Sequence, residues 1–250
     1  KRVTEMELML KEQEQQYRYI KDTFSRYVSP DVVNAIIADP SKVRLGGELR
    51  NVTILFVDIR GYSTLSESLD PTEVIGLLNR YFRRVSSVIL KHGGMINEFE
   101  GDAVLAVFGA PLDLEQHGLK AIQAGLELLD VVDELNTEFD ADGTSSQWRA
   151  LGIERFSIRI GIHSGPVVAG NVGSEARIKY SVIGDTVNTA SRVEGLCKTL
   201  DASILTTQAT RDLVSSEAAV TWLDRGEHTV RGRTEPVVVF SVSSGEPSTS

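Results

Sequence analysis

Cysteine is nearly absent. Cys197 is the single one in 250 residues, so no internal disulfide can form, which fits a reducing compartment such as the cytoplasm. No apolar run approaches the roughly 20 residues needed to span a bilayer, and no secretory signal opens the chain. Positive charge is in deficit, with 26 Lys and Arg against 35 Asp and Glu, a net charge of −9. Like-charge repulsion then argues against non-specific binding to nucleic acid or to an anionic membrane. A phosphate ligand is still allowed, because bound divalent cations reverse the local field. Internal repeats are missing too, so a repeat array is not expected. What remains is 41% apolar and 24% charged, an ordinary globular composition, long enough for one sizeable domain with an appendage. The chain begins Lys1-Arg2-Val3 without a methionine. A longer protein, with an N-terminal sensory module or a membrane anchor upstream, is therefore expected.

Residues 1–28 contain neither glycine nor proline and read as helix. Val3, Met6, Leu10, Gln13, Tyr17, Ile20, Phe24 and Tyr27 alternate spacings of three and four, an a/d heptad seam. An amphipathic helix lying on its own domain fits this, and so does a parallel two-stranded coiled coil. A seam of almost four heptads, broken only by Gln13, favours the coiled coil. Ser29-Pro30-Asp31 breaks that helix and caps a short one, Val32–Ala38, inside a linker of residues 29–50.

The main domain is expected over residues 51–243, with 244–250 a disordered tail. Val52–Val57 is a short apolar run suited to a buried strand. Asp70-Pro71 starts a helix that runs through His92 and stops at Gly93-Gly94. Met95–Phe99 and Ala103–Phe108 read as a strand pair joined through Glu100-Gly101-Asp102. Leu114–Phe139 is a long helical pattern, and Asp140–Ile153 a polar, protruding loop. Strands follow at Phe156–Val168 and Ile178–Ile183, then a helix at Thr186–Leu200, then strands at Val220–Asp224 and Pro236–Val242. This β-α-β-β-α-β order predicts an α+β fold, a ferredoxin-like core with extra C-terminal strands. That fold hosts many unrelated functions, so function must come from sites.

Two carboxylates stand out. Asp58 ends the first strand, in Phe56-Val57-Asp58-Ile59-Arg60-Gly61-Tyr62, and Asp102 lies in the turn Phe99-Glu100-Gly101-Asp102. Each follows a strand end next to a glycine that lets backbone approach a ligand. Two convergent Asp side chains with a main-chain carbonyl would form a hard, all-oxygen site suited to Mg²⁺ or Mn²⁺ and phosphate. Taken singly, Asp58 as a cap and Asp102 as a turn residue explain the sequence equally well. A third element, Gly184-Asp185-Thr186-Val187-Asn188-Thr189-Ala190-Ser191-Arg192, opens a helix directly after a strand. Asn188 and Arg192 are four apart and share a helical face. An amide and a guanidinium there can orient a ribose and stabilise phosphate charge, or can form an ordinary surface salt bridge.

Together these three elements resemble the catalytic domains of class III adenylyl and guanylyl cyclases, in the family's order and approximate spacing. Gly161-Ile162-His163-Ser164-Gly165 ahead of Val168-Ala169-Gly170 belongs to the same pattern, and the similarity covers about Asn51 to Val242. The lead-in Phe24-Ser25-Arg26-Tyr27-Val28 is similar to that of bacterial members. The resemblance implies that Asp58 and Asp102, assisted by the Ile59 carbonyl, hold two Mg²⁺ or Mn²⁺ ions for in-line phosphoryl transfer. It implies that amides around Arg60, Gly61 and Tyr62 cradle phosphates. Asn188 would position the ribose and Arg192 would stabilise the transition state, both from the opposite protomer. Arg231 matches a basic position that binds the terminal phosphates, where the family more often has Lys; a solvated hairpin arginine is the other reading. Such a site exists only in a dimer. The partner expected here is a second copy, joined through the catalytic domain and the N-terminal helix.

Two further positions select the purine in this family, here Glu98 and Ser181. Adenylyl cyclases usually carry Lys and then Asp or Thr; guanylyl cyclases carry Glu and commonly Cys. Glu98 is guanylyl-like, whereas Ser181 departs from both patterns. Guanine offers N1–H and its N2 amino group to a carboxylate, and its O6 accepts from a hydroxyl. Adenine N1 is a lone pair, which an ionised Glu98 would face without a donor. The expectation is a guanylate cyclase acting on GTP. The alternatives are an adenylyl cyclase acting on ATP, a silent cyclase-like dimerisation module, and an unrelated ferredoxin-like binding domain.

Overall fold

The run Val52–Val57 is the buried centre of β1 (Gly46–Ile59), which lies between β3 (Ala103–Phe108) and β4 (Ile158–Ser174), antiparallel to both. The computed structural model describes residues 10, 11, 13–16, 18, 19, 33, 45–174, 176–216, 218–230, 232 and 235–245. Most of the predicted heptad seam, the helix at 32–38 apart from Val33, and the tail from 246 lie outside the described residues. β2 (Met95–Glu100) pairs antiparallel with β3, giving the order β2-β3-β1-β4 that a βαββαβ chain requires. Beyond β4 the sheet continues through β6 (Ile204–Thr207), β8 (Val237–Ser244) and β7 (Val220–His228). β5 (Arg177–Ile183) folds back on the far end of β4.

Alternation along these strands splits the core in two. Leu55, Val57 and Ile59 face α2 (Pro71–Lys91) and α3 (His117–Ala141), packing with Leu77, Tyr81 and Leu128. The start of α2 follows the sequence: Asp70 accepts from the Thr72 amide at 2.9 Å, and Glu73 accepts from the Asp70 amide at 3.3 Å. Ile54 and Phe56 face the other way, in a cluster with Val167, Val182 and Ala190 of α5 (Asp185–Thr199). Helix α5 lies directly on β4. A Cβ at Gly161 would stand 2.2 Å from the Glu194 amide nitrogen, so no side chain fits there. The neighbouring His163 and Ser164 are buried, bonded to Thr207 at 2.7 Å and to Thr53 at 2.7 Å. The Gly161–Gly165 motif therefore serves packing.

Two expectations need correction. The stretch read as linker up to residue 50 already contains the first five residues of β1. Gly46–Arg50 has no strand pattern of its own; its conformation comes from pairing with Asn171–Val167 of β4. The segment 140–153 is not a protruding loop either. It holds α4 (Ser145–Arg149), and Trp148, only 1% exposed, packs edge-on against Phe139 at 5.0 Å. One aromatic pins a polar segment. Trp148→Ala is expected to cost about 3–5 kcal/mol, read as a lower urea midpoint; an unchanged midpoint would restore the loop reading.

Candidate active site

Asp58 is the penultimate residue of β1, on the face of Ile54 and Phe56. Asp102 reaches it from the β2–β3 turn, where Gly101 takes a left-handed φ of 65°. Asp102 Oδ2 accepts from the Ile59 amide at 3.1 Å, tying the turn to the end of β1. Burial, and then Asp58 beside it, push the Asp102 carboxyl up to about 7. Two neighbouring carboxyls call for compensating positive charge, which Arg159 supplies in part and a proton or a metal can complete. Among the described residues no group of three His, Cys, Asp or Glu gathers. The donor set is thus two carboxylates plus main-chain oxygen, which fits Mg²⁺ or Mn²⁺ completed by ligand oxygens or water.

Of the amides expected to cradle phosphate, that of Arg60 is engaged elsewhere. The Arg60 amide donates to the Ser157 carbonyl at 2.8 Å, and its guanidinium donates to the carbonyls of Ile158 and Ala202. Arg60 is still engaged in the sheet edge, so neither group is offered to a ligand. Gly61, with φ 73°, then caps α1 (Tyr62–Ser68), whose first helical bond is Leu65 N to Gly61 O. Amides from Tyr62 onward up to that bond lack helical acceptors.

Glu98 owes its direction to a feature the sequence hid. Ile96 pairs with Ala106 but Glu98 pairs with Leu105, so Asn97 is an extra residue, a β-bulge. The bulge reverses the alternation and places Glu98 on the face of Leu105, which packs with Val182 and Tyr180 of β5. There Lys179 Nζ meets Glu98 Oε2 at 2.7 Å. Lys179 and Ser181 are two apart on β5 and share a strand face. Glu98 and the strand bearing Ser181 are brought together.

Asn188 and Arg192 stand one turn apart on α5, whose start is fixed by Thr186 Oγ1 donating to the Pro166 carbonyl at 2.6 Å. Asn188 is exposed. Arg192 Nη1 lies 3.7 Å from Asp185 Oδ1 and is buried without a hydrogen-bond acceptor among the described residues. Arg192 therefore pairs with its own helix, not with Asp58 or Asp102. Arg231 lies outside the described residues.

Three charged residues escaped the sequence reading: Lys179, Arg159 and Glu194. Arg159 faces Asp58 across the β1–β4 ladder and donates to its Oδ2 at 2.9 Å. Arg159 Nε lies 2.8 Å from Glu194 Oε1, a charge contact without hydrogen-bond alignment. Burial pushes the Glu194 carboxyl up to about 7, against the pull of Arg159. For Arg159 the sequence signal was an isolated charge inside an apolar pattern, Ile158-Arg159-Ile160.

Residues 47–243 match the family model described as the adenylate and guanylate cyclase catalytic domain. An adenylate cyclase of Anabaena cylindrica is 35% identical over 227 residues, 89% of this chain and 43% of that protein. The chain thus spans less than half the length of this curated relative. The solved guanylyl cyclase Cya2 is 35% identical with a TM-score of 0.69, covering 82% of this chain and 98% of that one. The adenylyl cyclase CyaB from P. aeruginosa is 32% identical with a TM-score of 0.67, covering 81% and 98%. Relatives of both names are similar at nearly equal identity, so resemblance alone does not choose a purine. The chain belongs to the adenylate and guanylate cyclase catalytic-domain family.

Proposed function

We propose that this chain is a homodimeric nucleotide cyclase that closes a purine nucleoside triphosphate to its 3′,5′-cyclic monophosphate, releasing pyrophosphate, with GTP preferred. The meeting of Asp58, at the end of β1, with Asp102, tied to that same strand end through the Ile59 amide, carries this reading, since a packing role does not call for two part-buried carboxyls side by side. Mg²⁺ or Mn²⁺ held by Asp58, Asp102 and the Ile59 carbonyl would supply Lewis acidity and neutralise triphosphate charge. The chain's own groups do the rest. Amides at Gly61 and Tyr62 contact phosphate oxygens. Asn188 orients the ribose, and the acceptor-less Arg192 nitrogen donates to the phosphoryl oxygens as their charge grows. Glu98, steadied by Lys179, accepts from guanine N1–H and the N2 amino group, while Ser181 donates to O6.

Retention of Asp58, Asp102, Asn188 and Arg192 disfavours a silent module. The dimer is supported by two observations. Within one chain Arg192 pairs with Asp185 and not with Asp58 or Asp102, and an exposed apolar row crosses three strands at Leu49, Val168 and Ile183. Mixing tests the composite site. Asp58→Ala and Arg192→Ala proteins should each be inactive. With random exchange half the dimers are mixed and each has one of two sites intact, so roughly a quarter of wild-type activity should return. No recovery despite measured subunit exchange would sink the shared site.

A further inference from the structure

We infer that Arg159 and Glu194 form a positioning pair that holds Asp58 in place for a divalent cation, with Glu194 keeping Arg159 from competing for that carboxylate. The inference rests on the metal-ligand reading of Asp58 and adds to it two residues that do not touch substrate. Arg159 and Asp58 are direct Cα partners across the antiparallel β1–β4 ladder, so their side chains leave the sheet on one face. The 2.9 Å bond from Arg159 Nη2 fixes one oxygen of Asp58. Asp102 is tied to the same strand end through the Ile59 amide at 3.1 Å, so the carboxylate that Arg159 fixes is the one beside Asp102.

An arginine beside a cation site is a liability unless its charge is drawn elsewhere. Glu194 supplies that draw. Its Oε1 lies 2.8 Å from Arg159 Nε, whereas Asp58 is held by Nη2, and its side chain is only 8% exposed. One guanidinium thus stands between both carboxylates, hydrogen-bonded to Asp58 through Nη2 and in charge contact with Glu194 at Nε, two positions that a lysine ammonium, a single point charge, cannot occupy together. The position of Glu194 is itself rigid, because the α5 backbone at that residue rests on Gly161 with no room to shift toward β4. The lever therefore runs from a helix locked on the sheet, through Arg159, to the carboxylate at the strand end. When a cation claims Asp58, Arg159 keeps the neighbouring Glu194 carboxyl as its partner and need not be expelled from a site that is 18% exposed at that side chain.

The test is direct Mn²⁺ binding to the 250-residue chain without nucleotide, following the free-ion paramagnetic resonance signal, with the thermal midpoint measured in parallel. Asp58→Ala should abolish the binding; if it does not, the metal reading of the site itself is wrong. With that control met, Glu194→Gln and Arg159→Lys should each weaken Mn²⁺ binding about tenfold, the size typical of groups that orient a metal ligand. The double variant should be no weaker than either single one, because both remove the same support. Glu194→Gln is nearly isosteric and carries the test alone if Arg159→Lys fails to fold. Mn²⁺ binding within about twofold of wild type, accompanied by a lower thermal midpoint, would overturn the inference and leave an ordinary structural ion pair. Additive losses in the double variant would overturn it as well.

Discussion

Asp58→Ala and Asp102→Ala are each expected to lower cyclic nucleotide formation by about 10³-fold or more while leaving the chain folded. A bound divalent cation contributes several kcal/mol of charge stabilisation to a phosphoryl-transfer transition state, and about 4 kcal/mol corresponds to roughly 10³-fold in rate. The fold should survive because each alanine removes local hydrogen bonds, Ile59 to Asp102 or Arg159 to Asp58, and no core packing. The Asp102 carboxyl titrates at about 7, above its ordinary 3.8. Between those values the folded chain holds a proton that the unfolded chain has released, so stability falls as pH rises through that window. Removing the charge removes that loss. Asp102→Asn keeps an acceptor for the Ile59 amide, and without metal at about pH 8 it should unfold no earlier than wild type, with little difference near pH 4. Substantial turnover by either alanine variant, assayed with GTP and with ATP plus Mn²⁺, would end the carboxylate-site assignment.

The parts of this site that the sequence revealed are those whose geometry is local. Asp70-Pro71-Thr72-Glu73 specifies its own helix start, and the capping bonds form within four residues. The Glu100-Gly101-Asp102 hairpin and the Gly184-Asp185 helix start are equally self-contained. From the β-α-β-β-α-β order the strand arrangement followed, since short connections allow few alternatives. What stayed hidden depends on partners distant in sequence. Gly46–Arg50 becomes strand only because Asn171–Val167 lies alongside. Trp148 turns a polar segment into packed structure through Phe139 and Phe156, neither of which marks it in the sequence. Arg60 looked available for phosphate until Ser157, far along the chain, accepted its amide hydrogen. The bulge at Asn97 exists only in the register of β2 on β3, yet it decides which face Glu98 presents.

That bulge makes the purine the sharpest remaining consequence. With Glu98 on the β5 side and its carboxylate held by Lys179 at 2.7 Å, the proposed base site would offer a carboxylate acceptor and, two residues along β5 from Lys179, the Ser181 hydroxyl. Guanine satisfies both; adenine turns a lone pair toward the carboxylate. A fully buried mismatch of this kind discriminates by roughly 10⁴-fold. The Glu98 side chain is 40% exposed in the single chain, so water relieves part of the mismatch, and a kcat/KM ratio of at least ~10² in favour of GTP is expected. Reversing the preference takes more than exchanging the two base-reading residues. In Glu98→Lys with Ser181→Asp, the new ammonium would meet Lys179 at the distance of the present ion pair, and like charges there would push it out of the pocket. Adding Lys179→Gln removes that repulsion. The triple variant should therefore turn over ATP better than GTP, with the introduced lysine donating to adenine N1 and the introduced aspartate accepting from its N6 amino group. The double variant should lose GTP turnover and gain little with ATP. Wild-type preference for ATP would show that Glu98 does not read the base. Equal ATP turnover by the double and triple variants would show that Lys179 has no hold on that position.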